Sequence, residues 1–146
     1  MTTPPELSVL FDLFVADSAA RTLLTPVMAD TGLTATQYAE YSLVLVHGPM
    51  SVTRFASIAN LPLTTASDTV RSMERRAHVA RVRDPADGRA WLVELTADGR
   101  AAHQTARRAF RTAARAVREQ LGPAEPGVRD ALQRLAAACS AVAASP

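Results

Sequence analysis

The sequence predicts a mainly α-helical fold with one small β-hairpin, and three observations support this prediction. Apolar residues recur at the three- to four-residue spacing of helices along most of the 146 residues. The segment 79–96 breaks this spacing, because short strand-like runs there flank a cluster of turn residues. Elsewhere, glycine and proline residues separate the helical stretches and leave only short connections between them.

The first two helices follow from periodicity and from one capping motif. Leucine and phenylalanine residues at helical spacing predict a first helix over residues 5–29, which Pro26 is expected to kink or interrupt. Thr34 and Gln37 fit a capping box, in which each side chain bonds the other residue's backbone N–H. This motif predicts the start of a second helix over about 35–47.

A short helix, a tight turn and a further helix come next. Ser51 is expected to cap a third helix over about 52–59, and Asn60 can adopt the left-handed conformation that a tight turn requires. A fourth helix is predicted over about 62–77, because proline is well tolerated in a first helical turn. This order is typical of a helix-turn-helix.

The hairpin and two long helices complete the chain. The predicted hairpin, 79–96, has an exposed basic tip, and Thr96 is expected to cap a fifth helix over about 97–121. Glycine and proline residues between 122 and 127 are expected to separate it from a sixth helix over about 128–143.

Charge is distributed unevenly along the chain, although the net charge is only +2. Residues 51–118 carry thirteen arginines against six carboxylates, whereas the segments on either side are net negative. A basic centre between acidic ends is expected where one segment of a protein meets a polyanion.

Several other classes of protein lack support in the sequence. No apolar run approaches the roughly 18 residues of a membrane span, and the N-terminal residues lack the features of a secretory signal, which predicts a cytoplasmic protein. The single cysteine, Cys139, excludes an internal disulfide and is expected to be buried on an apolar helical face. No catalytic, metal-binding or phosphate-binding motif is present, so neither an enzyme nor a cofactor is expected. The three histidines lack ligand spacing; they are His47, His78 and His103.

The fourth helix has the two faces of a DNA-reading helix. Ala66, Val70 and Met73 share one face and are predicted to be buried. The opposite side carries short polar side chains and arginines, which suit phosphates and base edges in the major groove. The predicted DNA-binding residues of this helix are Thr64, Thr65, Ser67, Asp68, Arg71 and Arg75.

The hairpin region carries a composite of short motifs. They begin in the segment 73–79 and continue into an Asp-x-Arg pair, Asp87 and Arg89. An apolar strand ending in Leu-Thr and a following Gly-Arg then occupy residues 91–100. This composite resembles the multiple-antibiotic-resistance regulator (MarR) family of bacterial transcription factors. Helix order on both sides agrees, so the likeness covers essentially the whole chain.

The sequence departs from the family at two places. Ala77 and His78 stand where the family usually has Gly-Leu, and Asn60 replaces another customary glycine. Alanine at position 77 makes a left-handed helix cap less favourable.

The resemblance implies a homodimeric DNA-binding regulator, most often a repressor, that binds a pseudo-palindromic operator. It places the winged helix-turn-helix at residues 30–100 of a single domain and dimerisation helices at 1–29 and 101–146. Arg83, Asp87 and Arg89 would form the DNA-binding wing, with Asp87 holding the guanidinium of Arg89. Family members commonly bind small aromatic anions, and here the residues expected to line such a site are Arg21, Tyr38, Tyr41 and His103.

Two alternatives remain open at the level of sequence. The chain could be a winged-helix protein-interaction module, although the basic central segment argues against this function. It could instead be a non-specific architectural DNA binder, although the mixed polar face of the fourth helix favours base reading.

Overall fold

A computed structural model describes residues 8–145 and confirms a mainly helical fold with one two-stranded hairpin. The predicted bounds of the second, third and fifth helices agree with the structure, while residues 5–7 of the predicted first helix lie outside the described residues. The elements are α1 (Val9–Met28), α2 (Ala35–His47), α3 (Val52–Ala59), α4 (Leu63–Arg75), β1 (Val79–Arg83), β2 (Trp91–Leu95), α5 (Ala97–Leu121), a 3₁₀ turn (Gly122–Ala124) and α6 (Glu125–Ala143).

Two expectations about proline were wrong. Pro26 does not interrupt α1, which continues to Met28, because a proline so near the helix end removes little of the hydrogen-bond ladder. Helix α6 begins at Glu125 rather than at 128, because Pro126 occupies its first turn, where no N–H donor is needed.

The predicted caps are present. The Thr34 hydroxyl accepts from the Gln37 N–H at 3.1 Å, and the Gln37 side chain accepts from the Thr34 N–H at 2.9 Å. The Ser51 side chain caps α3, and Asn60 takes the left-handed conformation with φ of 54°. These caps fix the entry to α2 and the tight turn between α3 and α4.

The core lies beneath the α3–α4 pair and the hairpin. Phe55 of α3 and Val70 of α4 are fully buried, and Val93 of β2 is nearly so. The predicted inner face of α4 is confirmed, since Ala66, Val70 and Met73 are at most 2% exposed. These residues belong to one core cluster, in which α4 contacts β1 and α2 contacts β2, so both helices set the position of the hairpin.

The hairpin is antiparallel, with Val79 opposite Leu95 and Arg83 opposite Trp91. Met50, just before α3, adds a short bridge to Val93 through two backbone hydrogen bonds of 3.1 and 2.7 Å. Sequence reasoning missed this bridge, which joins the start of the helix-turn-helix directly to the hairpin.

The described chain divides into two compact units between Arg111 and Thr112, within α5. In the second unit, α6 is largely exposed, and Cys139 is partly exposed rather than buried as expected. Among the helices of residues 8–145, none combines the length and apolar character needed to cross a membrane.

Candidate nucleic-acid interface

The outer face of α4 presents a continuous polar surface. Thr64 and Thr65 are exposed in its first turn, whereas the Ser67 hydroxyl donates to the carbonyl of Leu63 at 2.8 Å. Asp68 and Arg71 form an exposed ion pair of 2.8 Å, one helical turn apart. An exposed pair of this kind is weak and exchanges readily for a stronger partner. Arg75 is exposed at the last turn of the same helix.

Helix α4 ends in a left-handed cap formed by an alanine. Ala77 has φ of 58°, its N–H donates to the Glu74 carbonyl, and the His78 N–H donates to the Met73 carbonyl. These two bonds define the Schellman motif, in which glycine is usual. The departure from the family at position 77 therefore leaves the cap geometry intact, at the conformational cost of a left-handed alanine.

The start of α5 lies directly against this cap. The Thr96 hydroxyl donates to the Ala77 carbonyl at 2.7 Å and accepts from the Gly99 N–H at 3.0 Å. The Thr96 N–H donates to the His78 carbonyl at 3.0 Å. A Cβ atom on Gly99 would lie 2.0 Å from that same carbonyl oxygen, so only glycine permits this approach. The Leu-Thr and Gly-Arg motifs thus join α4, the hairpin and α5.

The wing, residues 84–90 between the two strands, is organised by its own side chains. Arg83 stacks over the Trp91 ring at 4.0 Å and donates to the Gly88 carbonyl at 3.1 Å. Within the loop, the Asp84 side chain accepts from the backbone N–H of Ala86 at 2.8 Å. The Arg83 guanidinium is therefore engaged in bracing the wing.

Asp87 and Arg89 differ from the expected arrangement. The Asp87 carboxylate accepts from the backbone N–H of Arg89 at 3.0 Å instead of holding its guanidinium. Arg89 is exposed, and its guanidinium has no ion-pair partner within residues 8–145. The loop thus fixes the backbone of Arg89 and leaves its charge facing solvent.

A second ion pair connects the hairpin to α4. Arg81 on β1 donates to the Glu74 carboxylate at 2.5 Å, and both side chains are only partly exposed. Since Glu74 lies in the last turn of α4, this contact adds to the backbone junction that holds α4 and the hairpin together.

The residues expected to line an effector site lie in different surroundings. Arg21 pairs with Asp17 at 2.7 Å on the surface of α1. The Tyr38 ring stacks on His103 at 5.0 Å and packs against Phe110 at 4.8 Å. These three rings pack against one another between α2 and the first half of α5.

Two histidines that contact the predicted effector tyrosines have a lowered pKa. Burial and the nearby Arg107 charge lower the pKa of His103, whose Nε2 lies 2.9 Å from the Ser42 hydroxyl. Burial and the Arg76 charge lower the pKa of His78, while burial raises the pKa of Tyr41. The Tyr41 hydroxyl lies within hydrogen-bond distance of Nδ1 of His78, 2.9 Å away.

A cleft of about 640 Å³ lies between the C-terminal half of α1 and the start of α2. Of the four predicted effector residues, Arg21 lines it, together with apolar side chains such as Leu24, Met28 and Leu33. Its volume lies within the roughly 300–1,000 Å³ typical of small-molecule sites. Tyr41 instead borders a separate hollow of about 90 Å³ beside Arg76.

Comparison with known proteins was informative at the level of structure. No protein-family profile matches the chain, and no curated protein matches its sequence. A probable transcriptional regulator from Pseudomonas aeruginosa is 27% identical, with a TM-score of 0.77 over 88% of this chain and 96% of that one. The transcriptional regulator MOSR from M. tuberculosis, solved with DNA, is 26% identical, with a TM-score of 0.78 over 93% and 98% of the two chains.

More distant structures share the same fold. The PcaV transcriptional regulator from Streptomyces coelicolor, solved with its natural ligand, is 21% identical with a TM-score of 0.79 over 95% of this chain and 99% of that one. MarR from E. coli and a MarR-family regulator from Rhodococcus also match across most of their lengths. The wing motif, the element order and these neighbours together show that the chain has the winged helix-turn-helix fold of the MarR-type transcriptional regulators.

Proposed function

We propose that the chain is a cytoplasmic, homodimeric repressor that reads a pseudo-palindromic operator with α4 and the wing. The observation that carries the proposal is the pairing of an exposed polar face on α4 with an ordered wing that presents Arg89. Helix α4 fits the major groove, and a wing-tip guanidinium suits the negative potential of a narrow minor groove. MOSR, solved with DNA, supports the same use of this fold.

The polar face of α4 divides into two roles. Thr64 and Thr65, near the helix start, are placed to donate hydrogen bonds to phosphates or base edges. Arg71 would exchange its exposed contact with Asp68 for the two acceptors of a guanine. Arg83 keeps its contacts with Trp91 and Gly88 and so supports the loop that carries Arg89. This role differs from the direct contact between Arg83 and DNA that the sequence predicted.

Duplex DNA from the region upstream of the chain's own gene, compared with random duplex in a mobility-shift salt series, tests this proposal. Arg89→Ala should weaken binding to both duplexes, because its contact depends on groove shape and charge. Thr65→Ala and Arg71→Ala should mainly reduce preference for the upstream duplex, by about 1–3 kcal/mol each. Arg134→Ala removes an equal charge on α6 and serves as the control.

The outcomes separate the alternatives. Equal affinity for both duplexes in every variant would indicate an architectural binder. Absence of any salt-dependent shift would exclude DNA binding and favour a protein-interaction module.

Dimerisation is inferred from apolar side chains that a single chain leaves uncovered. Phe14 of α1 is 72% exposed, and Leu132 of α6 is 48% exposed. Helix α1 is exposed at every described position from Val9 to Ala20 despite its apolar composition. Monomeric proteins rarely expose such surfaces, so a second copy of the chain is the proposed occupant.

A dimer would set two copies of α4 roughly 34–36 Å apart, one turn of B-DNA. Phe14→Glu and Leu132→Glu should each shift sedimentation at micromolar concentration toward the monomer and weaken operator binding. A wild-type chain that sediments as a stable monomer would refute the dimer.

We further propose a small aromatic acid as effector, bound in the cleft between α1 and α2. Apolar walls and the Arg21 guanidinium suit a ring that carries a carboxylate. PcaV, solved with its natural ligand, supports ligand control in this fold. A panel of aromatic acids should include a compound that raises the melting temperature of the wild type but not of Arg21→Ala.

A further inference from the structure

Arg76 connects the end of α4 to the turn at residues 29–34 between α1 and α2, which we call the corner. It caps α4, and its Nη2 donates to the carbonyl of Gly32 at 2.6 Å. Gly32 lies 44 residues earlier, in the turn between α1 and α2, with φ of 81°. A guanidinium bonded to a carbonyl is a strong, directional contact, so the two segments are held in one relative position.

The corner that Arg76 holds is also a wall of the cleft. Gly32 and Leu33 both line it, and Leu33 is only 2% exposed. The Thr31 hydroxyl lies 2.9 Å from the carbonyls of Met28 and Leu33, and it accepts from the Leu33 N–H at 3.2 Å. Because these bonds stiffen the turn, a displacement of the cleft wall would move the Gly32 carbonyl with it.

The other end of the contact is equally well placed to transmit movement. Arg76 directly precedes the left-handed Ala77 and the junction at His78. A shift of its side chain therefore acts on the C-terminal turn of α4, to which β1 is also attached through Glu74 and Arg81.

We propose that Arg76 is a positioning residue through which the cleft wall and the DNA-reading helix influence one another. The proposal rests on the proposed function, because it requires that α4 binds DNA. Coupling between two sites is reciprocal: if a cleft ligand changes the affinity for DNA, DNA bound at α4 changes the affinity of the cleft by the same factor, so DNA should act on the corner. This reciprocity allows the link to be tested with duplex DNA alone.

The experiment is amide hydrogen exchange of the full chain, with and without a saturating duplex from its upstream region. In the wild type, DNA should slow exchange of the amides at 31–34 by about fivefold or more, the lower end of common coupling. In Arg76→Gln, DNA should still protect α4 but leave the corner unchanged. Without DNA, the same variant should already exchange faster at 31–34.

Arg81→Gln is the matched control, since it removes a different arginine contact at the end of α4 and should keep the corner response. Arg76→Met retains the side-chain stem and replaces Arg76→Gln if that variant is unstable. The salt dependence of DNA affinity should be the same in Arg76→Gln as in the wild type, whereas a phosphate contact would lower its slope by about one.

A corner that responds to DNA equally in the wild type and in Arg76→Gln would overturn the proposal, and so would a wild-type corner that does not respond. A wild type that gives no mobility shift would instead refute the proposed function itself.

Discussion

Replacing Gly99 by alanine is the most stringent test of the junction between α4, the hairpin and α5. The added Cβ would lie 2.0 Å from the His78 carbonyl oxygen, 2.9 Å from its carbon and 3.1 Å from its Cα. All three are backbone atoms. The carbonyl also accepts the Thr96 N–H at 3.0 Å, so it cannot retreat without losing that bond.

The size of the effect follows from these distances. Ordinary van der Waals contact begins at 3.4 Å, whereas the added Cβ would lie 2.0 Å from the His78 oxygen. The backbones at Gly99 and His78 must therefore move apart by about 1.4 Å. Such a separation breaks two hydrogen bonds of Thr96, one from its hydroxyl to the Ala77 carbonyl and one from its N–H to the His78 carbonyl. Each bond is worth about 1 kcal/mol. Overpacking adds about 1–3 kcal/mol. The higher helix propensity of alanine returns up to about 1 kcal/mol. The expected loss of unfolding free energy is about 2–5 kcal/mol.

Urea and thermal unfolding at fixed protein concentration measure this loss, because a dimer's stability depends on concentration. The expected fall in melting temperature is roughly 5–15 °C for a chain of this size. Gly127→Ala is the control, since a Cβ there meets nothing within 4 Å. A Gly99→Ala protein as stable as Gly127→Ala would show that the close approach is wrong.

Three further predictions concern the same region. Ala77→Gly should stabilise the protein by about 1 kcal/mol, because glycine adopts the left-handed cap without strain, and an unchanged or lower urea midpoint would contradict this. Arg83→Ala should alter the emission of Trp91, the single tryptophan, and weaken DNA binding without changing its salt dependence, whereas a slope lowered by about one would make Arg83 a direct contact. The pKa values of His103 and His78 are lowered by folding, so the unfolded chain binds more protons and the unfolding free energy should fall below about pH 6.5. Replacing both histidines with glutamine should flatten that pH dependence, and a stability that rises on acidification would refute the assignment.

The helices could be predicted from sequence because their signals are local. The capping box at Thr34 and the turn at Asn60 each depend on neighbouring residues alone, and both hold in the structure. The neighbour of Arg83 could also be predicted from sequence. In a hairpin closed by the loop 84–90, the residues that flank the loop, Arg83 and Trp91, lie opposite one another. Charge alone favoured a DNA contact for Arg83, whereas the register places its guanidinium over the Trp91 ring.

The remaining features depend on contacts between distant segments. Nothing local pairs Arg76 with Gly32, since any arginine on an exposed helix end has the same sequence signature. The surroundings of the predicted effector residues could not be predicted from sequence for the same reason. Tyr38 and His103 suit a polar pocket as well as a packed core, and only their mutual stacking distinguishes the two environments.

The contacts of His78 explain why histidine in place of the family's usual leucine is compatible with the fold. A leucine at this position would need only apolar neighbours, whereas a partly buried imidazole requires a hydrogen-bond partner. The Tyr41 hydroxyl supplies that partner at 2.9 Å, and the two rings meet edge to face. Since the His78 backbone also bonds Met73 of α4 and Thr96 before α5, this one residue joins α2 to α4 and to the start of α5. Tyr41 is therefore buried for a structural reason, which explains why an aromatic residue predicted to meet an effector lies in the core.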